Sequence, residues 1–269
     1  MIVGEAAPDG QTGLMAHPCD HALAASVATE AGAMLVEIRE RMFNAGAGTW
    51  EVRDTGDMEA HRLIMNRLSE ARPGDAILSE EGRDDHGRLS AERVWIVDPL
   101  DGTREYSEPG RSDWAVHVAL VEGGIPTAGA VALPAVGQTL CTDPEPSLPA
   151  ASGGRPRMVV SRSRPPAAAI IVAQALDAEL MTLGSAGAKA MAVVLGMADI
   201  YAHSGGQYEW DNCAPVAVAR AAGLHASRCD GSDLEYNFAD PWLPDVLICR
   251  REFAADSLEA LRKVIEGEA

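Results

Sequence analysis

The chain has 269 residues, 47% of them hydrophobic, so it is long enough to bury a large core in one or two domains. Its formal net charge of −18 argues against binding to nucleic acid polymers, because phosphate backbones require a basic patch. The sequence has no apolar run of membrane-spanning length and no basic N-terminal segment followed by a hydrophobic one. We therefore expect a cytoplasmic protein without membrane partners.

The cysteine pattern argues against a zinc site and against a disulfide framework. Five cysteines, at positions 19, 141, 213, 229 and 249, show no CxxC spacing. This pattern indicates neither a zinc site nor a disulfide framework. We expect all five to be reduced packing residues.

The N-terminal half is predicted to begin with two helices and to continue as short strands. Apolar residues recur at helical spacing over residues 20–43, and a second helix is expected over residues 57–70, before Pro73 and Gly74. The Gly123-Gly124 pair indicates a hairpin turn between two strands. Strands are predicted at residues 76–80, 94–98, 114–122, 127–133 and 138–142.

A change in composition predicts a boundary between two domains. Residues 143–156, DPEPSLPAASGGRP, are rich in proline, glycine and serine, which is typical of a linker. Beyond them, strand and helix patterns alternate up to a helix over residues 254–266, as in an α/β arrangement. The sequence therefore predicts an α/β protein, with an N-terminal α+β domain (residues 1–142) and a C-terminal α/β domain (residues 157–269).

The segment DPLDGTREYS, residues 98–107, gives the strongest indication of a functional site. It follows the apolar run VWIV, which predicts a buried strand with Asp98 at its carboxyl end, where ligands enter open α/β sheets. The intervening proline restricts the turn, so the carboxylates of Asp98 and Asp101 can converge with the carbonyl group of Leu100. Oxygen ligands suit Mg²⁺, and the N–H groups at a helix start after Gly102 suit phosphate. An isolated Asp-Gly pair, however, more often makes a simple turn.

Two further acidic sites favour the functional interpretation. Ser79-Glu80-Glu81 ends another predicted strand, and Glu209-Trp210-Asp211 precedes a helix of small residues. Taken alone, the glutamates fit a solvated loop and Asp211 fits a helix N-cap. Together with DPLD, they indicate a clustered set of metal ligands.

These motifs, in this order, resemble those of the inositol monophosphatase superfamily of metal-dependent, lithium-sensitive phosphomonoesterases. The resemblance rests on SEE (residues 79–81), WIVDPLDGT (residues 95–103) and WD (residues 210–211) before a small-residue helix that ends in AAG. It covers nearly the whole chain and implies the layered αβαβα sandwich of that superfamily. DGTREYS, SRSR and GSAGAKAM look most like the actinobacterial 3'-phosphoadenosine 5'-phosphate phosphatases of the superfamily.

The resemblance also implies roles for individual residues. Thr103 would orient and deprotonate a metal-bound water, with Glu80 beside it and Asp57 as its hydrogen-bond partner. The N–H groups of Gly102 and Thr103 would bind the phosphate. The site would hold two or three Mg²⁺ ions, through Glu80, Asp98, the Leu100 carbonyl and Asp101 of the N-terminal domain and Asp211 of the C-terminal domain.

A nucleotide bisphosphate carries a second phosphate, which cations or hydroxyls of the C-terminal domain must bind. The candidates are Ser161, Arg162, Ser163, Arg164, Lys189 and His203. The alternative interpretation for most of them is a solvated position in a turn or on the surface.

The resemblance therefore implies a Mg²⁺-dependent phosphatase that removes the 3'-phosphate of adenosine 3',5'-bisphosphate or its sulfated form, in sulfur assimilation. Inositol 1-phosphate and fructose 1,6-bisphosphate are the alternative substrates. A non-catalytic metal-binding regulatory protein of the same fold is the alternative from another class. The sequence leaves open whether the protein is a monomer or a homodimer.

Overall fold

The computed structural model describes residues 18–151 and 153–265. The first half contains three helices and five strands. These are α1 (Pro18–Asn44), α2 (Thr49–Ala71), β1 (Ala76–Ser79), β2 (Arg93–Asp101), α3 (Thr103–Tyr106), β3 (Ala115–Glu122), β4 (Ile125–Leu133) and β5 (Gln138–Cys141), with 3₁₀ turns at His86–Ser90 and Pro134–Val136.

The second half contains four helices and five strands in the described residues. These are β6 (Arg157–Ser161), α4 (Ala167–Ala175), β7 (Glu179–Leu183), α5 (Ala186–Val194), β8 (Ile200–Tyr208), α6 (Glu209–Ala221), β9 (His225–Ser227), β10 (Trp242–Cys249) and α7 (Arg251–Ile265). No helix in residues 18–151 or 153–265 is long and apolar enough to cross a bilayer.

The ten strands form two mixed sheets. The first has the order β1-β2-β3-β4-β5, with β1 parallel to β2 and the other pairs antiparallel. The predicted hairpin between β3 and β4 is confirmed, and both Gly123 and Gly124 adopt the positive φ that such a turn requires. The second sheet has the order β7-β6-β8-β10-β9, with β10 antiparallel to both of its neighbours.

Helices cover and separate the two sheets, which gives five layers. Helices α1 and α2 pack on the outer face of the first sheet, and α4 and α7 pack on the second. The stripe of α2 that faces the sheet repeats every four residues, as expected for an amphipathic helix. Helix α5 lies between the sheets and is buried on all sides. The predicted αβαβα sandwich is confirmed.

Helix α2 begins eight residues before its predicted start. The side chain of Glu51 accepts a hydrogen bond from the backbone N–H of Gly48 (2.9 Å), which closes the first turn at Thr49. Asp57 therefore lies in the middle of the helix, and the segment before it is helical as well. The sequence offered no serine, threonine, aspartate or asparagine at the cap position to indicate this earlier start.

The predicted linker has no helix or strand among its described residues, but it is not detached. The carbonyl oxygen of Pro149 accepts a hydrogen bond from Arg250 (2.8 Å), and Leu148 packs on the core between the sheets. That core contains residues from both halves of the chain, such as Ile96 and Val246. The division into two domains stays a proposal, and residues 1–17, Ser152 and the predicted helix end at Glu266 lie outside the described residues.

The cysteine prediction is confirmed for the residues whose side chains the structure describes. Cys141, Cys213, Cys229 and Cys249 are free thiols, and the last three are buried. The side chain of Cys19 lies outside the described part of the chain.

Candidate metal centre and substrate cavity

The end of β2 brings two aspartates to the face of the central helix layer. Proline cannot donate to the strand ladder, and the pairing of β2 with β3 is irregular between Asp98 and Asp101. The backbone N–H of Leu100 instead donates to the carboxylate of Asp98 (3.0 Å). Both carboxylates are buried, as expected for residues at the closed end of a cleft.

Asp211 completes a three-carboxylate cluster from the first turn of α6. Its Oδ2 atom accepts a hydrogen bond from the backbone N–H of Tyr208 (2.6 Å), so it also caps its own helix. One carboxylate oxygen each of Asp98, Asp101 and Asp211 lies within 4.8 Å of the others. This spacing suits a shared cation, and three of the predicted ligands are thus brought together.

Asp98 and Asp211 repel their acidic neighbours, and nearby positive charge does not offset this repulsion for either of them. Burial and the carboxylates of Glu80, Asp101 and Asp211 raise the pKa of Asp98 well above its ordinary value. Burial and the charge on Asp101 raise the pKa of Asp211 to about 6. A divalent cation would relieve this repulsion, so the donor set fits a metal.

Glu80 joins the cluster from the end of β1. It keeps access to solvent, but the surrounding protein desolvates it, and together with nearby carboxylates, Asp211 first, this raises its pKa to about 7. Glu80 and Asp98 are close enough that each perturbs the pKa of the other. Glu80 and Asp98, two of the predicted ligands, are therefore neighbours.

Asp101 differs from the other carboxylates because it has donors on two sides. The backbone N–H groups of Ala186 (3.2 Å) and Gly187 (2.6 Å), at the start of α5, donate to its two oxygens. Burial alone would raise its pKa, but the contact with His117, the charges of His117 and Lys189 and the Gly187 amide hold it below its ordinary value. Asp101 therefore stays ionised and ties β2 to α5.

His117 is the partner of Asp101 that the sequence did not reveal. This fully buried histidine of β3 places Nε2 at 3.2 Å from Asp101 Oδ2 and Nδ1 at 3.0 Å from the carbonyl oxygen of Trp210. Burial opposes protonation, but the two oxygen partners outweigh it and raise the pKa of His117. The histidine thus connects two of the three aspartates, since Trp210 precedes Asp211. Only the strand register, which pairs His117 with Asp98, could have identified it.

The predicted phosphate-binding turn has a tight backbone. Helix α3 begins at Thr103, as expected, after Gly102 with φ +84°. A Cβ atom at Gly102 would lie 2.8 Å from the Cβ of Ser185, so the glycine is also required by the approach of α5. The hydroxyl of Thr103 donates to the carbonyl oxygen of Leu100 (3.3 Å).

Asp57 lies in the middle of α2, on the Glu80 side of the site. Burial and the charges of Glu81, Glu80 and Asp54 raise its pKa to about 7. This perturbation is typical of a group in a functional cleft. Its partnership with Thr103 stays a prediction.

A cavity of ≈ 530 Å³ brings four of the predicted substrate residues together. His203 donates from Nε2 to the carbonyl oxygen of Gly206 (3.1 Å), while its buried Nδ1 has no partner among the described residues. Burial lowers the pKa of His203, so Nδ1 is a bare acceptor. Arg104, which directly follows Thr103, also lines the cavity and was not predicted. The lining comprises Arg104, Ser161, Ser163, Arg164, Pro166, His203, Ser204, Gly205 and Gly206.

The other two predicted substrate residues make contacts within the protein. Arg162 forms ion pairs with Glu105 (2.8 Å) and Glu108 (3.0 Å), which join β6 to α3 and the loop after it. Lys189 is buried and donates from Nζ to the carbonyl oxygens of Gly184 (2.5 Å) and Ser185 (2.7 Å). Their roles in substrate binding stay predictions.

Comparison with known proteins identifies the fold and its relatives. Residues 19–266 match the inositol monophosphatase family. The chain is 50% identical to the 3'-phosphoadenosine 5'-phosphate phosphatase of Mycobacterium leprae over 258 residues, which cover 91% of this chain and 94% of that protein. It is 33% identical to the 3'(2'),5'-bisphosphate nucleotidase CysQ of Escherichia coli K12, over 70% of this chain and 80% of that protein.

A solved structure agrees with these sequence matches. The crystal structure of CysQ from Bacteroides thetaiotaomicron superposes with a TM-score of 0.74 at 26% identity, over 87% of this chain and 98% of that one. The resemblance noted in the sequence, including its narrower part, is confirmed by relatives at about 50% identity. The chain belongs to the inositol monophosphatase family.

Proposed function

We propose that the chain is a Mg²⁺-dependent phosphomonoesterase that removes the 3'-phosphate from adenosine 3',5'-bisphosphate or its sulfated form, in sulfur assimilation. The observation that carries this proposal is the cluster of Asp98, Asp101 and Asp211, in a chain that is about 50% identical to relatives named for this activity. The cytoplasmic location and a possible pairing into homodimers stay predictions.

The carboxylates of Glu80, Asp98, Asp101 and Asp211 and the carbonyl group of Leu100 would hold two or three Mg²⁺ ions. All five donors are oxygens, which Mg²⁺ prefers. When bound, the ions activate a water molecule for in-line attack on phosphorus and stabilise the leaving oxygen. The uncompensated charge of the cluster supports this assignment.

The residues of the chain itself position the reacting groups. The N–H groups of Gly102 and Thr103 bind the phosphate, and the Thr103 hydroxyl, with Asp57 as its partner, orients the attacking water. Asp101 stays fixed because the α5 amides and His117 hold both of its oxygens. Positioning of this kind can supply much of the rate enhancement of phosphoryl transfer.

The cavity beside the metal centre supports a nucleotide substrate. Arg104 and Arg164 line it, and no carboxylate of the described residues pairs with either of them. They are therefore available for the 5'-phosphate, with Ser161 and Ser163 as additional donors. The bare Nδ1 of His203 can accept a hydrogen bond from a ribose hydroxyl or from the adenine amino group.

Parallel rates on four substrates test the proposal. We expect kcat/KM for adenosine 3',5'-bisphosphate to exceed that for inositol 1-phosphate and fructose 1,6-bisphosphate by at least about tenfold, since only the nucleotide offers a base to His203 as well as a second phosphate to the arginines. The fourth substrate, the sulfated form, should follow the bisphosphate. Equal or faster turnover of inositol 1-phosphate would contradict the nucleotide assignment, and no release with any of them would contradict the phosphatase itself.

The Arg164→Gln variant is expected to weaken nucleotide binding selectively. Losing one charged contact to the 5'-phosphate should raise KM for adenosine 3',5'-bisphosphate by roughly tenfold or more. The KM for inositol 1-phosphate, which lacks a second phosphate, should change little. Steady-state kinetics on both substrates provide the measurement.

The matched control is Arg62→Gln, which removes an exposed arginine that pairs with Glu59 on α2. It should leave both KM values unchanged. If Arg164→Gln raised KM equally for the two substrates, the arginine would not serve the second phosphate.

The Gly187→Ala variant is expected to weaken Mg²⁺ binding without direct contact with the metal. An added Cβ would overlap with Nε2 of His117 and lie 3.1 Å from the Cβ of Ala115, so the histidine would be displaced from Asp101. Loss of a supporting partner of a ligand typically costs about 10-fold to 100-fold in metal affinity. Titration of activity with Mg²⁺ should show the corresponding shift in half-saturation.

Gly74→Ala is the matched control, because a Cβ there meets no atom within 4 Å. It should leave the Mg²⁺ titration unchanged. An unchanged titration in Gly187→Ala as well would show that His117 does not position Asp101.

A further inference from the structure

A second cavity, of ≈ 590 Å³, lies away from the substrate cavity, at the far end of α6. Arg220, near the end of α6, lines it together with Arg251, the first residue of α7, and His225 of β9. Its size is in the range typical of small-molecule sites. Its lining shares no residue with the substrate cavity described above.

The two arginines of this cavity have no carboxylate partner among the described residues. Arg220 donates to the carbonyl oxygen of Ala226 (3.3 Å) and Arg251 donates to that of Gly223 (2.7 Å). Neither guanidinium group is therefore neutralised by an ion pair, in a chain with 40 acidic and 22 basic residues. The arginines of the substrate cavity, Arg104 and Arg164, share this property, and there we assign them to a ligand.

The lining of the cavity also carries negative charge. Asp233 and Glu235, on the loop between β9 and β10, line it and form no ion pair with the arginines. Burial, followed by the charges of Arg251 and Arg220, lowers the pKa of His225, so it adds no positive charge at neutral pH. The lining thus combines two guanidinium groups with two carboxylates that form no ion pair with them.

Apolar residues line the cavity as well. Leu224 and Leu234 are both buried, and Ala226 and Ala254 are partly buried beside them. A simple oxyanion would meet the arginines but would be repelled by Asp233 and Glu235. A molecule with one negative group, one positive group and a short apolar part can interact with the arginines, the carboxylates and the apolar residues of the lining.

We infer that this cavity is a second ligand site, which takes a small zwitterion such as a free amino acid. Its carboxylate or sulfonate group binds Arg220 and Arg251, its ammonium group binds Asp233 and Glu235, and its side chain packs on Leu224. Planar guanidinium groups are well suited to bind a carboxylate.

The loop that lines the cavity also contacts the metal end of α6. After Glu235, the hydroxyl of Tyr236 donates to the side chain of Asn212 (2.9 Å), next to Asp211. The backbone N–H groups of Asn237 and Phe238 donate to the carboxylate of Glu209 (both 2.8 Å). Occupation of the cavity therefore biases the position of Asp211 and alters the Mg²⁺ requirement of the enzyme.

Binding of defined probes to the full chain tests the site. The twenty protein amino acids, taurine, inorganic phosphate and sulfate are each titrated by calorimetry and by thermal unfolding. We expect at least one zwitterion to bind, and the affinity to fall at least tenfold in Arg251→Gln and in Arg220→Gln. Basal activity without the probe should be unchanged in both variants.

Arg155→Gln is the control, because it removes an exposed arginine outside the cavity with the same change in charge. The inference is overturned if no zwitterion binds, if binding survives both cavity variants, or if phosphate and sulfate bind alone as adventitious ions only. The coupling is tested separately. The bound zwitterion should shift Mg²⁺ half-saturation in the parent protein and not in Arg251→Gln, and an unshifted value in both would overturn it.

Discussion

The Asp98→Asn variant is expected to lose turnover of adenosine 3',5'-bisphosphate by on the order of 10³-fold or more, while remaining folded. Asp98 lies at the centre of the carboxylate cluster and its pKa is raised well above its ordinary value by burial and by its acidic neighbours. Removing its charge relieves repulsion in the metal-free protein, so the free energy of unfolding without Mg²⁺ should not fall. Stabilisation by added Mg²⁺ should be lost with the activity.

A substitution of Asp98 tests the proposed role in metal binding more clearly than a substitution of Asp101. An asparagine at position 101 would lose acceptors for Gly187 and His117, so a loss of activity there could reflect a damaged fold. The matched control is Asp177→Asn, at an exposed position with positive φ that asparagine tolerates.

Three measurements separate the outcomes for Asp98→Asn: phosphate release, far-UV circular dichroism and thermal unfolding with and without Mg²⁺. Loss of the circular dichroism signal would mean that the carboxylate is structural. A parent protein that releases no phosphate with Mg²⁺, and an Asp98→Asn variant that behaves identically, would favour a non-catalytic metal-binding protein.

The Arg93→Met variant is expected to reduce the free energy of unfolding by about 3–5 kcal/mol. The guanidinium of Arg93 contacts three largely buried carboxylates, at 3.0 Å from Asp75, 3.1 Å from Asp20 and 2.9 Å from Glu122. Methionine fills a similar volume but leaves these carboxylates without their shared cation. Denaturant unfolding measures the loss, and the melting temperature should fall by roughly 10 °C.

The effect of Arg93→Met should depend on pH. Burial would raise the pKa of Asp20, but Arg72 and Arg93 outweigh it and lower the pKa below its ordinary value. A carboxylate with a lowered pKa stabilises the fold at neutral pH, and this contribution is lost as the pH falls through that pKa. The difference between parent and variant should therefore be largest near neutral pH and shrink below about pH 4.

Arg67→Met is the control for this substitution, since the ion pair of Arg67 with Glu30 is exposed and worth less than about 1 kcal/mol. Arg93 lies at the start of β2, and the candidate ligands lie at its end. Kinetic constants at 25 °C should be unchanged in both variants. An equal loss of stability in Arg93→Met and Arg67→Met would contradict the expectation that the ion pairs of Arg93 stabilise the fold.

The sequence predicted the elements whose signal is local. Strand β2 was evident from a run of buried apolar residues, and the hairpin from Gly123-Gly124, because each depends only on neighbouring residues. The set of Asp98, Asp101 and Asp211 was recognisable because three motifs occur in a fixed order. Their convergence within 4.8 Å agrees with that expectation.

The partners that depend on tertiary packing were not predictable. His117 contacts Asp101 and Trp210 only because β3 pairs with β2 in one register and α6 begins beside them. Arg162 has many acids within its reach in an acidic chain, and only the fold selects Glu105 and Glu108. The early start of α2 was missed for a related reason, since its cap comes from the side chain of Glu51 and not from the residue at the cap position.

The contacts on both carboxylate oxygens of Asp101 affect which metal ion the proposed site can accept. The amides of α5 and the ring of His117 hold this carboxylate on both oxygens, so it cannot rotate or retreat to suit a larger cation. Mg²⁺ demands near-ideal octahedral geometry at short distances, while Ca²⁺ needs more ligands at longer and more variable ones. In the proposed site, a rigid aspartate would therefore favour the smaller ion, because the contact between β2 and α5 fixes Asp101.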